Sequence, residues 1–443
     1  MRGNLETVRR GTGSLGVVAL CLAAATIEGF DIQAAGVAAP KLAPILRLTP
    51  HQMGLFFASA TFGMIAGAVL GGVVADRFGR RFGLVLSLVA FGTFTLATAY
   101  AKNFEILFMA RFFTGLGLGG ALPNLVATAA EAVKARRRGL AVGVVYSGLP
   151  LGGALASTAA IGFESWQSLF LLGAVLPLVL IPPVIYFLPS SSPGRAAHGI
   201  SSDVKAGPGI LDRENRAATL LLWLAFFLSV LVLYLLLNWQ PVLLVSKGFT
   251  GSSASAVQAT FNLSGAAASI LAGLVSDTRQ RRLAVVVSSA LLQCTLLYFA
   301  ALPPYLPLAV LAGAALGAGV VSSQSILYGL APQVYRAHVR GRGVGFAVGM
   351  GRFGSVVGPL LAGVLIANGN TVTEVLMGIM PIAFAGGLAT FFLVMVLEIR
   401  RVSNGDGADA DPRPEDKTRP IDTVATANAA DRDKHLVGAH SAH

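Results

Sequence analysis

Residues 48–81 read LTPHQMGLFFASATFGMIAGAVLGGVVADRFGRR, and residues 249–282 read FTGSSASAVQATFNLSGAAASILAGLVSDTRQRR. At a fixed offset of 201 residues, the positions at which the two segments have the same residue type include Thr49 and Thr250, Gly72 and Gly273, Asp76 and Asp277, Arg80 and Arg281, and Arg81 and Arg282. Each segment predicts a long apolar helix that ends in a Gly-x-x-x-Asp-x-x-x-Arg-Arg turn. A repeated membrane helix pair indicates two halves that move against each other around a site between them, which is the architecture of a transporter.

The composition indicates a membrane protein. Of 443 residues, 54% are hydrophobic and 12% are charged, and the mean hydropathy is +0.71. A soluble domain carries about 25% charged residues. The net charge of +12 is divided into short clusters between apolar runs, which is typical of topology signals and unlike a nucleic-acid-binding face. Because the sequence has no metal-ligand cluster, nucleophile elbow or phosphate loop, we expect no enzyme activity and no cofactor.

The apolar runs predict an all-α polytopic membrane protein with twelve transmembrane helices in two six-helix halves, since a span needs about 20 apolar residues. The predicted spans are 13–38, 51–74, 82–101, 105–130, 139–162, 167–188, 217–239, 252–275, 283–302, 306–331, 343–367 and 374–398. The predicted divisions are a first half (1–188), a cytoplasmic central loop (189–216), a second half (217–399) and a disordered cytoplasmic tail (400–443).

The placement of lysine and arginine predicts the orientation. With both termini in the cytoplasm, twenty-two of these residues flank the spans on the inner side and four on the outer side, namely Lys41, Arg47, Lys102 and Lys247. Such asymmetry is a strong topology signal. Two arginines, Arg111 and Arg352, fall inside spans.

Residues 72–81, GVVADRFGRR, resemble the signature of the major facilitator superfamily between helices two and three. We expect Gly72 to allow close helix approach, Gly79 to permit a tight turn, and Asp76 to accept hydrogen bonds at the start of the third helix. The arginines are expected to pair with Glu131 and with helix C-termini, forming a conformational latch; they are Arg77, Arg80 and Arg81. Asp277 and Arg281 form a weaker second latch, because Gln280 replaces the turn glycine. The alternative interpretation is a basic loop that only sets topology.

Span one contains two acids, Glu28 and Asp31, three residues apart. An ionisable group inside a span faces a cavity or a partner, because exposure to lipid is costly. This spacing puts both carboxylates on one helix face, and two acids in low dielectric disfavour ionising together. We therefore expect one of them to hold a proton that is coupled to transport. The alternative is that both lie near the outer surface and are merely solvated.

The intramembrane arginines need anionic partners. The best partners of Arg111 are Asp31 or Glu28, although it could also be an arginine whose head reaches the interface. Arg352 lies near the middle of span eleven, where it could bind a substrate carboxylate in bidentate geometry or form a structural pair.

Five other polar or aromatic residues are candidates for lining a substrate cavity: Asn124, Gln324, Tyr234, Asn238 and Trp239. The last three end span seven, where we expect the helix to end or break. Each could equally pack helices together or lie in an interfacial belt.

Four stretches together resemble the aromatic acid:proton symporter family: EGFDIQAAGVAAPKL, GGVVADRFGRR, RFFTGLGLGGALPN and GRFGSVVGPLLAG. The resemblance implies a monomeric carrier in the bacterial inner membrane that takes up a proton with an aromatic monocarboxylate such as a hydroxyphenylpropionate. It implies that Glu28 and Asp31 couple protons and that Arg111 and Arg352 bind or gate the carboxylate. The family usually has Asp-Gly-x-Asp in span one, whereas the first acid in this chain is Glu28.

Two other interpretations remain open from the sequence. The first is a major facilitator carrier of another solute, such as another organic anion, a sugar or a drug. The second is a non-transporting membrane sensor, for which the polar tail is short.

Overall fold

The computed structural model describes residues 14–134, 137–187, 210–213, 215–276, 280–335 and 339–403. It leaves out the side chains of residues 14, 75, 76, 80, 122–124, 126, 127, 131, 138, 139, 273–276 and 401–403. Most of the predicted central loop and residues 404–443 of the predicted tail therefore lie outside the described part.

The described residues form twelve helices. In chain order these are α1 (Ser14–Leu46), α2 (Pro50–Phe78), α3 (Arg80–Ala99), α4 (Phe104–Ala132), α5 (Arg138–Gly162), α6 (Trp166–Phe187), α7 (Arg216–Ser246), α8 (Gly251–Ser276), α9 (Arg281–Ala300), α10 (Leu306–Val334), α11 (Arg340–Ala367) and α12 (Val372–Ser403). Each of the twelve predicted spans corresponds to one of these helices, which confirms the predicted all-α fold class.

Eleven of the helices in the described ranges are long and apolar enough to cross a membrane. The described part of α8 falls short of this hydropathy although the helix has 26 residues. Its sequence includes Gln258 and Asn262, which are both buried. Gln258 and Asn262 therefore face other helices rather than lipid.

Two helices run furthest beyond their predicted ends. The first continues to Leu46 through Pro40 and Pro44, and α7 continues to Ser246 through Pro241. The expectation that span seven ends or breaks at Trp239 was therefore wrong. Proline is tolerated inside membrane helices because neighbouring helices and local adjustments satisfy the freed backbone groups.

The repeat is visible in the local geometry of the helix starts. The hydroxyl of Thr49 accepts a hydrogen bond from the Gln52 backbone N–H, and that of Thr250 accepts one from Ser253. Both threonines thus cap the helix that follows. Gly79 has a φ of 90°, which agrees with the predicted tight turn, whereas Gln280 has a φ of −87°. The second turn takes a different backbone path because a positive φ is unfavourable for glutamine.

Small residues bring α2 against α4 and α8 against α10. A Cβ added at Gly115 would collide with the backbone oxygen of Ala60, and one at Gly317 would collide with that of Phe261. Such close approach is typical of membrane helix pairs. A Cβ at Gly72 would meet no atom of the described residues within 4 Å. On this segment the close contact lies at Gly71, against Gly120, and the predicted role of Gly72 stays a prediction.

The first six helices also contact the last six. A Cβ at Gly36 of α1 would come within 2.5 Å of the backbone oxygen of Leu237 in α7, and one at Gly54 of α2 would lie 3.0 Å from that of Pro359 in α11. These contacts lie toward the end of the bundle that the charge pattern predicts to be outside. We call this end the predicted outer end.

Candidate functional site

Arg111 of α4 forms an ion pair with Asp31 of α1. Its Nη1 lies 2.8 Å from Oδ2 of Asp31, and its Nη2 donates to the Asp31 backbone oxygen at 3.3 Å. Thr95 of α3 donates to Oδ1 of the same carboxylate at 3.1 Å. The guanidinium carbon also lies 5.7 Å from the ring centre of Phe170 on α6. The ion pair therefore joins four helices of the first six.

Both members of this pair are withdrawn from solvent. Asp31 is 0% exposed and Arg111 is 1% exposed. This burial contradicts two alternatives that the sequence left open. Asp31 is not solvated near the outer surface, and the Arg111 guanidinium does not lie at the membrane interface. A buried pair is costly to break because removing one partner leaves an uncompensated charge.

We expect Asp31→Asn to lower the free energy of unfolding by about 3 kcal/mol or more, because Arg111 would keep its charge without a counterion. Denaturant unfolding in detergent measures this loss. Thr95→Val removes a single hydrogen bond and is the matched control, with an expected loss of about 1 kcal/mol. Equal stability of Asp31→Asn and the unmodified protein would contradict this role for the pair.

Glu28 is buried like Asp31 but has different surroundings. It is 1% exposed, and neither carboxyl oxygen has a hydrogen-bond partner among the described residues. It lies within electrostatic range of Arg352 and of Asp31. A buried carboxylate without a hydrogen bond costs far more free energy than the neutral acid does, so this position suits a group that gains and loses a proton.

Arg352 of α11 lies beside three tyrosines as well as Glu28. It is half-buried and within electrostatic range of Tyr146 on α5, Tyr234 on α7 and Tyr328 on α10. Its Nη1 lies 3.9 Å from Sδ of Met64 on α2. We call Glu28, Tyr146, Tyr234, Tyr328 and Arg352 the central cluster.

The central cluster draws on both sets of six helices. The rings of Tyr146 and Tyr328 lie 5.7 Å apart, and Phe226 contacts the Tyr328 ring edge-on at 5.1 Å. Tyr328 is 39% exposed, so the cluster is not sealed. A partly open cationic site walled by aromatic rings can bind a flat, anionic ligand. Sequence reasoning missed Tyr146 and Tyr328, because a tyrosine in an apolar run carries no charge signal.

Three of the other candidates have packing roles in this conformation. Trp239 is buried and donates from Nε1 to the Pro359 backbone oxygen at 3.0 Å. Asn238 is buried and donates to the Tyr234 backbone oxygen at 2.7 Å. Gln324 donates to the Ser229 hydroxyl at 3.0 Å, beside a serine-lined cavity among α7, α9, α10 and α12. The cavity-lining interpretation is therefore kept for Tyr234, while the Asn124 side chain lies outside the described residues.

The predicted latch is only partly described. Arg77 is exposed and lies 5.4 Å over the ring of Phe78, and Arg81 is half-buried. Arg281 is buried, and its Nη1 lies 3.5 Å from Oε1 of Gln333 on α10. The side chains of Asp76, Arg80, Glu131 and Asp277 lie outside the described residues, so the latch stays a prediction.

A second polar group between the two sets of helices was not predicted. Gln33 of α1 and Asn262 of α8 exchange two hydrogen bonds, from Gln33 Nε2 at 2.8 Å and from Asn262 Nδ2 at 2.7 Å. Gln258 of α8 donates to Gln33 Oε1 at 3.3 Å. All three side chains are buried, and we call them the amide cluster.

Comparison with known proteins identifies the family. The model of the Major Facilitator Superfamily matches residues 21–347 and 222–427. The chain is 40% identical over 382 residues to a 3-(3-hydroxy-phenyl)propionate transporter of Escherichia coli (strain K12), covering 85% of this chain and 93% of that protein. The chain therefore belongs to the Major Facilitator Superfamily and is a multi-pass membrane protein of the transporter type, as predicted, rather than an enzyme.

Other relatives are named as transporters of aromatic acids. A 4-hydroxybenzoate transporter of Acinetobacter baylyi is 31% identical, over 86% of this chain and 91% of its own. A gallate transporter of Pseudomonas putida is 30% identical, over 80% of this chain and 86% of its own.

A solved structure with the same fold is a D-xylose-proton symporter. It has a TM-score of 0.69 and 17% identity, and the match covers 86% of this chain and 97% of that one. At this identity the likeness supports the fold alone.

Proposed function

We propose that the protein is a proton-coupled symporter that takes up an aromatic monocarboxylate, such as a hydroxyphenylpropionate, across the bacterial inner membrane by alternating access. Both termini lie in the cytoplasm, the carrier acts as a monomer, and the proton gradient supplies the energy without a cofactor. The observation that carries the proposal is the buried carboxyl group of Glu28, which has no hydrogen-bond partner among the described residues and lies within electrostatic range of Arg352.

The geometry of the central cluster supports a carboxylate ligand. Arg352 belongs to the last six helices and Glu28 to the first six. When Glu28 is ionised, its charge compensates that of Arg352. When Glu28 is protonated, the guanidinium lacks a counterion and favours an external carboxylate, which its planar fork can bind through two hydrogen bonds. The proton on Glu28 and the anion beside Arg352 therefore enter the site together.

The tyrosines support an aromatic substrate. Tyr146 and Tyr328 present rings from opposite halves, and Arg352 lies within electrostatic range of both. Aromatic rings prefer offset or edge-on contacts with one another, so a flat aromatic acid suits this space better than a sugar does. The names of the relatives agree with this substrate class.

The Asp31–Arg111 pair has a separate part in the proposal. It joins α1 to α3, α4 and α6 through Thr95 and Phe170. It thereby fixes the rotation of α1 and holds Glu28 toward Arg352. We propose that loss of Asp31 affects coupling through the position of Glu28 as well as through its own charge.

The substrate class is tested by counterflow into proteoliposomes that are preloaded with unlabelled acid. We expect labelled 3-phenylpropionate to exchange against phenylpropionates, benzoates and cinnamates, and not against xylose or 3-phenylpropanamide. The amide is the matched control because it keeps the ring and removes the negative charge. Exchange against the amide as fast as against the acid would contradict a carboxylate site.

A further inference from the structure

We propose that Gln33, Gln258 and Asn262 hold the predicted outer end closed, and that their hydrogen bonds break when that end opens. The inference goes beyond the proposed substrate and proton coupling. It rests on alternating access, and its test needs neither a ligand nor a pH gradient.

The position of the amide cluster suits this role. Gln33 lies five residues beyond Glu28 on α1, or about 7 Å nearer the predicted outer end. Asn262 and Gln258 reach it from α8, in the other six helices. The cluster thus lies between the central cluster and the predicted outer end, where α1 also contacts α7 at Gly36.

The surrounding backbone is shaped to admit the Gln33 side chain. A Cβ added at Gly153 of α5 would overlap the Gln33 amide. Asn262 Nδ2 also donates to the Gln258 backbone oxygen at 2.9 Å, which orients its amide toward Gln33. The two hydrogen bonds between Gln33 and Asn262 therefore depend on how α1, α5 and α8 pack together.

Neutral amides suit a contact that must both form and break. When the halves separate at this end, water can replace each amide hydrogen bond, so the net free-energy change per bond is small. Removing one amide from the closed state has a larger effect, because the remaining buried amides lose their partner. Replacing all three amides with apolar side chains of similar size removes this penalty.

The experiment measures the distance between two nitroxide labels, which are attached to cysteines introduced in place of Lys102 and Pro304. These two residues are exposed in equivalent loops of the two halves. The full-length protein carries Cys21→Ala and Cys294→Ser so that labelling is specific, and it is measured by pulsed electron spin resonance in nanodiscs without substrate. We expect Gln33→Ala to raise the ratio of long-distance to short-distance conformers by about tenfold. Gly153→Ala should raise it in the same direction, because the added methyl displaces the intact Gln33 amide.

The triple variant Gln33→Leu/Gln258→Leu/Asn262→Leu should return the ratio to within about threefold of that of the unmodified protein. The matched control is Gln293→Ala, which removes an amide that donates to the Met380 backbone oxygen at 3.1 Å within the last six helices and should leave the ratio unchanged. Unchanged distances in both Gln33→Ala and Gly153→Ala would overturn the proposal. So would a shift of equal size in Gln293→Ala.

Discussion

Replacing Arg352 by glutamine is expected to weaken the binding of aromatic monocarboxylates by about 100-fold or more, because the substrate carboxylate would lose its charged partner in a partly buried site. Arg352→Lys keeps the charge but not the planar fork, and we expect an intermediate loss of about tenfold. Isothermal titration calorimetry of each purified variant with 3-phenylpropionate measures the two dissociation constants.

Met64→Leu is the matched control for Arg352. The Met64 sulfur lies 3.9 Å from Nη1 of Arg352, so the substitution changes the immediate surroundings while conserving volume and charge. We expect its dissociation constant to stay within about threefold of that of the unmodified protein. If Arg352→Gln bound the acid as tightly as Met64→Leu does, Arg352 would be a structural residue and not part of the substrate site.

Replacing Glu28 by glutamine is expected to abolish accumulation of the substrate against its gradient while sparing exchange. Glutamine resembles the protonated acid in shape and charge, so Arg352 stays available to the carboxylate. The side chain can no longer carry a proton between the two sides. With one proton per monoanion, an inward gradient of one pH unit supports about tenfold accumulation in the unmodified protein, and Glu28→Gln should reach none.

The pH dependence of binding gives a second readout for Glu28. If Glu28 must be protonated before Arg352 accepts the substrate, binding takes up a proton. Affinity then rises as pH falls, over the range in which the aromatic acid is fully ionised. In Glu28→Gln this dependence should disappear. Stability separates the two acids, because Arg352 is half-buried whereas Arg111 is buried, so Glu28→Gln should destabilise the protein less than Asp31→Asn does.

Hydropathy and the repeat predicted the helices, because a bilayer demands long apolar segments whatever their tertiary contacts. The sequence also identified the four intramembrane charges. It left the partner of Arg111 open between Glu28 and Asp31, since spacing along α1 does not fix how that helix rotates against its neighbours. The fold shows that Asp31 is the partner, and that Thr95 and Phe170 of two other helices contact the pair.

The amide cluster shows a different limit of the sequence. Gln33 and Asn262 are 229 residues apart, and although Gln33 lies in the family-like stretch of span one and Asn262 in the repeated segment, neither carries a charge that would mark it. An uncharged amide inside an apolar run does not stand out as an intramembrane charge does, and its partner on another helix is known only from the fold. Helix ends were also misplaced, since Pro40 and Pro241 are ordinary stop signals in soluble proteins but lie inside membrane helices in this structure.

The most direct test of the coupling is substrate-driven proton entry. Proteoliposomes containing a pH-sensitive dye and no imposed gradient receive 3-phenylpropionate on the outside, with valinomycin and potassium to hold the membrane potential at zero. We predict that the interior acidifies with the unmodified protein and not with Glu28→Gln, although both exchange labelled substrate. Substrate entry without acidification in the unmodified protein, or equal acidification in Glu28→Gln, would contradict proton symport through Glu28.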